Sequence, residues 1–213
     1  MKREDAIKTE IIEVCKRMYQ GGFAAANDGN VSVKISKDKI VVTPTGKSKG
    51  FLKQKDLLLI NLKGKILKGS SKPTTELAMH LFIYQKRKDV KAVVHAHPPC
   101  STAFAVAAIG LDKYVLPEVI VSLGNIPLAK YATPSTKEVP DSISNLIKNH
   151  DAILLKNHGV VTVGKNVKDA YHKLERVEHF AKILYLAKGL GKIDELTDKD
   201  VKKLMKLGSN TGV

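Results

Sequence analysis

Residues 91–99 read KAVVHAHPP, and this stretch decides how the rest of the chain is interpreted. The small and β-branched apolar residues at 92–94 are typical of a buried strand, and the proline pair that follows ends regular structure. Because side chains alternate between the two faces of a strand, His95 and His97 point the same way. Two imidazoles on one face at a strand end could share a metal ion. The alternative is a pair of partly buried, hydrogen-bonded histidines.

Two further segments favour the metal interpretation. Residues 153–159 read ILLKNHG, a second apolar strand that ends at a histidine, His158. Residues 72–76 read KPTTE, a loop leading into a helix, with Glu76 in its first turn. Three neutral imidazoles and one carboxylate suit Zn²⁺ or another divalent transition metal better than the oxygen-rich shells of Ca²⁺ or Mg²⁺. His80 shares a helix face with the carboxylate, and we expect it to be a core or supporting histidine rather than a ligand.

Charge and composition restrict the class of protein. The 213 residues carry 36 basic and 21 acidic side chains, for a net charge of +15. The lysines are spread along the chain and no nucleic-acid-binding motif is present, so we interpret the charge as surface bias that suits an anionic substrate rather than as a nucleic-acid site. No apolar run is long enough to span a membrane. The two cysteines, Cys15 and Cys100, lack metal or redox spacing, which favours a reduced, cytoplasmic protein.

Periodicity predicts an α/β chain. Strands clustered in hairpins and interleaved with helices indicate a largely antiparallel or mixed sheet that is covered on both faces. The predicted helices are 3–20, 75–87, 100–109, 136–149, 166–188 and a short one after a capping box at 197–200. The predicted strands are 31–35, 39–43, 57–62, 65–68, 91–97, 118–122, 125–129, 152–158 and 160–164.

Five motifs together resemble the class II aldolase/adducin family. In chain order they are DGN (28–30), TPTG (43–46), PTTE (73–76), VVHAHPP (93–99) and LLKNHGVV (154–161). The resemblance runs from about residue 5 to about residue 190. It implies one three-layer α/β/α domain spanning residues 1–213, with a Lys-rich C-terminal tail from about 191 to 213, assembled as a homotetramer with active sites at subunit interfaces.

The resemblance also implies the residues of the site. One Zn²⁺ per subunit, with Mn²⁺ or Co²⁺ as alternatives, would be held by His95, His97, His158 and Glu76, and Glu76 would also serve as acid/base. A pocket for the substrate phosphate carries over to a larger set of loop residues. These are Asn27, Gly29, Asn30, Thr45, Gly46, Thr74 and Thr75. Sharp turns and the start of a helix both present free backbone N–H groups to an anion, which agrees with this assignment.

The implied activity is that of a zinc-dependent lyase. It would cleave a ketose 1-phosphate, such as L-fuculose 1-phosphate, to dihydroxyacetone phosphate and an aldehyde. The family's aldolases supply a tyrosine from the neighbouring subunit, where this chain has Leu116; we assign the role to Tyr114, with Glu118 as the alternative. Sugar-phosphate 4-epimerases and methylthioribulose-1-phosphate dehydratases of the same family remain alternatives. So does a non-catalytic adducin-like interaction domain, although such a domain would be expected to lose the histidines.

Overall fold

An eight-stranded sheet runs through the protein, whose computed structural model describes residues 2–211. The strands are β1 Asn30–Lys34, β2 Lys39–Val42, β3 Leu58–Asn61, β4 Ile66–Lys68, β5 Ala92–Ala96, β6 Leu128–Ala129, β7 Ala152–Leu155 and β8 Gly159–Gly164. Their order across the sheet is β4-β3-β2-β1-β5-β8-β7-β6. Each neighbouring pair is antiparallel except β6 with β7, which is parallel. The prediction of a largely antiparallel mixed sheet is confirmed.

Helices cover both faces of this sheet. They are α1 Lys2–Gln20, α2 Leu77–Lys86, α3 Pro99–Val106, α4 Pro117–Leu123, α5 Glu138–Ile143, α6 Val167–Leu190 and α7 Asp198–Thr211. Side chains of α1, α3 and α6 pack into a hydrophobic cluster on one face, and those of α2 and α5 into a second cluster on the other. The predicted three-layer α/β/α arrangement is therefore confirmed. None of the helices within residues 2–211 is long and apolar enough to cross a membrane.

Strand β5 lies near the middle of the sheet, between β1 and β8. All five of its residues are buried. Ala92, Val94 and Ala96 pack into the cluster beneath α1 and α6, whereas Val93 packs into the cluster beneath α2 and α5. The alternation places His95 on the same face as Val93, towards α2. A continuous apolar strand buried on both faces thus positions one histidine under the helix that begins next to Glu76.

The main error of the sequence prediction concerns residues 117–129, which follow helix α3. The expected strand at 118–122 is wrong, because residues Pro117–Leu123 form helix α4. Pro117 lies in the first helical turn, where its missing backbone N–H removes no hydrogen bond of the helix. The negative charge of Glu118 in the same turn interacts favourably with the helix dipole and so stabilises α4. The expected strand at 125–129 is reduced to the two residues of β6. Short apolar runs such as VIV fit a strand and a buried helix equally well.

Candidate functional site

The three histidines approach one another because of how β5 pairs with β8. His95 lies in β5, His97 follows directly after it, and His158 lies in the turn between β7 and β8. The antiparallel register brings the end of β5 beside the start of β8. Gly159 allows this close approach, since a Cβ there would lie 2.5 Å from the carbonyl oxygen of Ala96 and 2.6 Å from the ring of His97. The glycine after the histidine is therefore required by backbone packing.

The three rings form a compact cluster. Nε2 of His95 lies 3.1 Å from Nε2 of His97, and the ring centroids are 4.7–5.1 Å apart. One ring nitrogen from each residue falls within 4.8 Å of the others. His95 donates from Nδ1 to the carbonyl of Val160 (2.9 Å), and Nδ1 of His97 lies 3.5 Å from the Asp28 carboxylate. Such outer contacts fix the tautomer of an imidazole and aim its other nitrogen at a metal.

The Glu76 carboxylate closes the cluster. It immediately precedes helix α2, and it is the residue capping that helix rather than a member of its first turn. Oε2 lies 3.0 Å from Nε2 of His95, and Oε1 lies 3.3 Å from Nε2 of His158. Within the described residues, the buried Oε1 has no hydrogen-bond partner. Four donors held tetrahedrally about 2.0–2.1 Å from a zinc ion stand about 3.3 Å apart. The three donor pairs given above, at 3.0–3.3 Å, are close to this spacing. The donor set therefore fits a divalent metal.

The pKa shifts of these side chains are consistent with metal binding. Burial, reinforced by the charge of His95, lowers the pKa values of His97 and His158 to about 4. Burial also acts to lower the pKa of His95, but the neighbouring Glu76 outweighs it, and the pKa of His95 is raised. Burial alone would raise the pKa of Glu76; its contacts with His95, His158 and Asn30 hold that pKa well below its ordinary value. Two of the rings thus keep their lone pairs at neutral pH.

A chain of buried hydrogen bonds starts at the Glu76 carboxylate and runs away from the histidine cluster into the core. Asn30 donates from Nδ2 to Oε2 of Glu76 (2.9 Å), and its Oδ1 lies 2.5 Å from Nε2 of His80. Nδ1 of His80 is 2.7 Å from the Ser32 hydroxyl, which is 2.9 Å from the hydroxyl of Tyr84. Burial lowers the pKa of His80 to about 3, so the ring is neutral, donates from Nε2 and accepts at Nδ1. His80 is fully buried, as expected for a supporting histidine.

A small polar cavity of about 120 Å³ adjoins the cluster, and both Glu76 and His97 line it. Most residues of the predicted phosphate site line the same cavity. These are Asn27, Gly29, Asn30, Thr45, Thr74 and Thr75. Gly46 lies next to Thr45 but is not part of the lining. The structure therefore brings together six of the seven residues chosen from separate loops.

Gly29 shows why the DGN loop needs a glycine. Its φ is +73°, and a Cβ would lie 2.9 Å from the carbonyl oxygen of His95. Only glycine tolerates both the left-handed conformation and this close approach. The loop is thereby held against the end of β5, next to the histidines.

Three lining residues were missed from the sequence, namely Pro44 and the two charged residues Asp28 and Lys49. Asp28 belongs to the DGN motif, but nothing in the sequence indicated that its carboxylate would face His97. Lys49, in the segment TGKSKG, has the pattern of an exposed loop lysine, yet it is only 1% exposed. Its burial depends on tertiary packing that no local pattern reveals.

Tyr114, the predicted second acid, lies away from the lining of this cavity. Its carbonyl accepts a hydrogen bond from the backbone of Leu196 (2.8 Å). The alternative, Glu118, lies in the first turn of α4. Both residues were assigned to a site completed by a second subunit, so the assignment stays a prediction.

The chain is similar in sequence to one family of known proteins. The sequence profile described as Class II Aldolase and Adducin N-terminal domain matches residues 9–185. The chain belongs to the class II aldolase and adducin family. The resemblance drawn from the five motifs is confirmed.

Individual relatives of this family are similar over almost the whole chain. An L-fuculose phosphate aldolase of Methanococcus maripaludis is 40% identical over 182 residues, which cover 85% of this chain and 98% of that protein. A 3-oxo-tetronate 4-phosphate decarboxylase of Haemophilus influenzae is 32% identical over 208 residues, covering 95% and 98%. A solved L-fuculose 1-phosphate aldolase superposes with a TM-score of 0.88 at 30% identity, covering 94% and 95%. Aldolases and decarboxylases are both lyases, and this class II aldolase family member is a lyase.

Proposed function

We propose that this protein is a metal-dependent aldolase that cleaves a ketose 1-phosphate, such as L-fuculose 1-phosphate, to dihydroxyacetone phosphate and an aldehyde. Zn²⁺, or Mn²⁺ or Co²⁺ in its place, would be held by His95, His97, His158 and Glu76. The observation that carries the proposal is the convergence of these four side chains, two of which, Glu76 and His97, line a polar cavity. That cavity is lined by loop residues suited to a phosphate, so a metal site and an anion site adjoin.

The chemistry divides between the metal and the protein. A divalent ion bound there would act as a Lewis acid towards negative charge on a substrate oxygen when the C3–C4 bond breaks. In the direction of synthesis the Glu76 carboxylate would take a proton from C3 of dihydroxyacetone phosphate. In cleavage, Glu76 would first take up a proton from solvent and then give it to C3 of the three-carbon fragment. Asn30 orients that carboxylate through its 2.9 Å hydrogen bond. The proton of the C4 hydroxyl must leave to a base, and we assign this exchange to Tyr114 from a neighbouring subunit, with Glu118 as the alternative.

A second candidate function is decarboxylation of a 3-oxo acid phosphate. It is favoured by the similarity of this chain to the 3-oxo-tetronate 4-phosphate decarboxylase of Haemophilus influenzae. Loss of CO₂ from a 3-oxo-tetronate 4-phosphate leaves a three-carbon enediolate bearing phosphate, the same fragment that a retro-aldol cleavage of a ketose 1-phosphate leaves. The two reactions therefore make the same demands on a metal, a phosphate pocket and a proton donor. They differ in the leaving fragment, an aldehyde or CO₂, and only the aldol cleavage needs a base for the C4 hydroxyl.

A substrate panel tests these assignments. The zinc-loaded protein is given L-fuculose 1-phosphate, a 3-oxo-tetronate 4-phosphate, ribulose 5-phosphate and methylthioribulose 1-phosphate in separate assays. Dihydroxyacetone phosphate is measured by coupled NADH oxidation, and aldehyde and CO₂ are measured separately. We expect dihydroxyacetone phosphate with an equal amount of aldehyde from the ketose 1-phosphate. Dihydroxyacetone phosphate with CO₂ only would establish the second candidate, and an epimer or a dehydrated product would refute both.

We further propose that the protein acts as a cytoplasmic homotetramer whose sites are completed at subunit interfaces. Helix α6 presents exposed apolar side chains, with Tyr185 67%, Leu186 55% and Leu190 91% exposed in the single chain. Contiguous exposed apolar surface is typical of subunit interfaces. Two free cysteines, Cys15 and Cys100, are consistent with a reducing compartment. Analytical ultracentrifugation giving a monomer at micromolar concentration would contradict the assembly.

A further inference from the structure

Lys49 is a buried ammonium group at the wall of the cavity. Its side chain is 1% exposed, and Nζ donates to two backbone carbonyls, those of Asn27 (2.8 Å) and Lys47 (2.8 Å). The first carbonyl belongs to the loop preceding Gly29, and the second follows Thr45 and its glycine. Lys49 therefore ties together the two loops that form one side of the cavity. An ammonium has three N–H donors, so the third remains for another acceptor.

The charge of Lys49 lacks a partner. Among the described side chains, no carboxylate lies within the 4.0 Å salt-bridge distance of its Nζ. Lys47, two residues earlier, is partly exposed and pairs with Asp56 at 2.5 Å. Burial lowers the pKa of Lys49, and the proximity of Cys15 and Asp28 only partly opposes this. A buried charge is normally paired with an opposite charge, so this one indicates an anion that the protein chain does not supply.

Without Lys49, the side chains that line the cavity would carry net negative charge and would repel an anion. Its described lining contains two carboxylates, Asp28 and Glu76, and Lys49 is its one lysine or arginine. Backbone N–H groups and threonine hydroxyls offer hydrogen bonds to a phosphate, but they carry no net charge. A phosphate dianion next to two carboxylates needs a fixed positive charge close by.

We propose that Lys49 is a substrate-binding residue that supplies the positive charge for the phosphate of the substrate and selects a phosphomonoester over an uncharged sugar. This inference rests on the proposed function, because it concerns the same cavity. Lys49 holds the loops at Asn27 and Lys47 in place through two N–H groups and offers the third to a phosphate oxygen. Charge-assisted contacts of this kind are the strong ones in anion recognition.

Phosphate affinity of matched variants tests the inference without requiring turnover. Inorganic phosphate is titrated calorimetrically, at constant ionic strength, into the wild-type protein and into the Lys49→Met, Lys49→Gln and Lys49→Arg variants. The control is Lys47→Met, which removes an exposed lysine of the same loop that is paired with Asp56. Thermal melting and zinc binding establish that each variant is folded. We expect the Met and Gln variants to bind phosphate at least 10-fold more weakly, and the Arg and control variants to stay within about 3-fold of wild type.

Other results would overturn the inference. If Lys49→Gln, which keeps neutral N–H donors, bound phosphate as tightly as wild type, Lys49 would be a loop tether and not a charge for the ligand. Wild-type protein that takes up no phosphate at millimolar concentration would also refute it. The proposed function fails separately: phosphate binding that depends on Lys49, without cleavage of any ketose 1-phosphate, upholds this inference and refutes only the aldolase reaction.

Discussion

Replacing His80 by leucine tests whether the buried chain behind Glu76 supports the metal site. His80 does not line the cavity, and it reaches Glu76 only through Asn30. Leucine has a similar volume and no polar atom, so the variant removes both hydrogen bonds of the ring without leaving a large cavity. Asn30 would lose the partner that fixes which way its amide points, and Glu76 would lose its oriented donor.

The structure gives the expected magnitudes. The substitution leaves the buried Oδ1 of Asn30 without a partner, which costs about 1–3 kcal/mol. The Ser32 hydroxyl loses its hydrogen bond to His80 but keeps its contact with Tyr84, so this loss costs about 1 kcal/mol. We therefore expect the free energy of unfolding to fall by about 2–4 kcal/mol. Groups that orient metal ligands contribute about 10–100-fold in metal affinity, and we expect a loss in this range.

Zinc affinity is measured by competition with a chromophoric chelator, and stability by urea denaturation of the metal-free protein. Tyr84→Phe is the matched control, because it removes a hydroxyl from the far end of the same chain. It should cost about 1 kcal/mol of stability and leave zinc affinity within about twofold. If His80→Leu also kept wild-type zinc affinity, the chain would have no part in positioning Glu76, and the reasoning would be refuted.

Three further predictions concern the cluster itself. Glu76→Gln should retain zinc while turnover falls by about 10²–10⁴-fold, because an amide cannot carry the proton; full turnover would contradict the role. Gly159→Ala should cost about 1–3 kcal/mol in thermal or urea unfolding, since its Cβ meets the carbonyl of Ala96 and the ring of His97; an unchanged midpoint would contradict the packing argument. Zinc binding near pH 6 should displace the proton that the raised pKa of His95 retains, and this release should fade as the pH rises beyond that pKa. Calorimetry in buffers of different ionisation enthalpy measures the number of protons released. A proton release that does not depend on pH would contradict this role of His95.

The parts of the fold that the sequence predicted are those in which one physical signal dominates. Strand β5 and the hairpins of β1–β2 and β3–β4 follow from alternation and turn residues, and α1 and α6 from long helical periodicity. The predicted cap before α7 is confirmed in its first half, with Thr197 accepting from the backbone N–H of Asp200 at 3.3 Å. The Asp200 carboxylate, however, accepts from the Thr197 hydroxyl rather than reaching back to the Thr197 backbone, so the described residues do not show a complete capping box. Helix α4 leaves almost no signal in the sequence, because seven residues are too few to show a helical period and its one start signal is Pro117.

The same distinction separates the site residues that the sequence predicted from those that it did not. The three histidines were predicted because strand ends and a glycine mark positions where backbone geometry fixes the side chain. Lys49 could not be predicted, because its burial results from the packing of two distant loops rather than from a local pattern. The same holds for the hydrogen bonds of Asn30 to Glu76 and His80, which join residues 46 and 50 positions apart. Long-range polar pairing leaves no periodic trace in a single sequence.

The most direct test of the account is X-ray absorption at the zinc edge of the full-length protein loaded with one zinc ion per chain. Three imidazole nitrogens and one carboxylate oxygen should appear at about 2.0–2.1 Å, and the imidazole scattering should fall by a third in a His158→Ala variant. A zinc ion surrounded by water oxygens, or a wild-type spectrum that the His158 substitution leaves unchanged, would contradict the central claim that these side chains form one metal site.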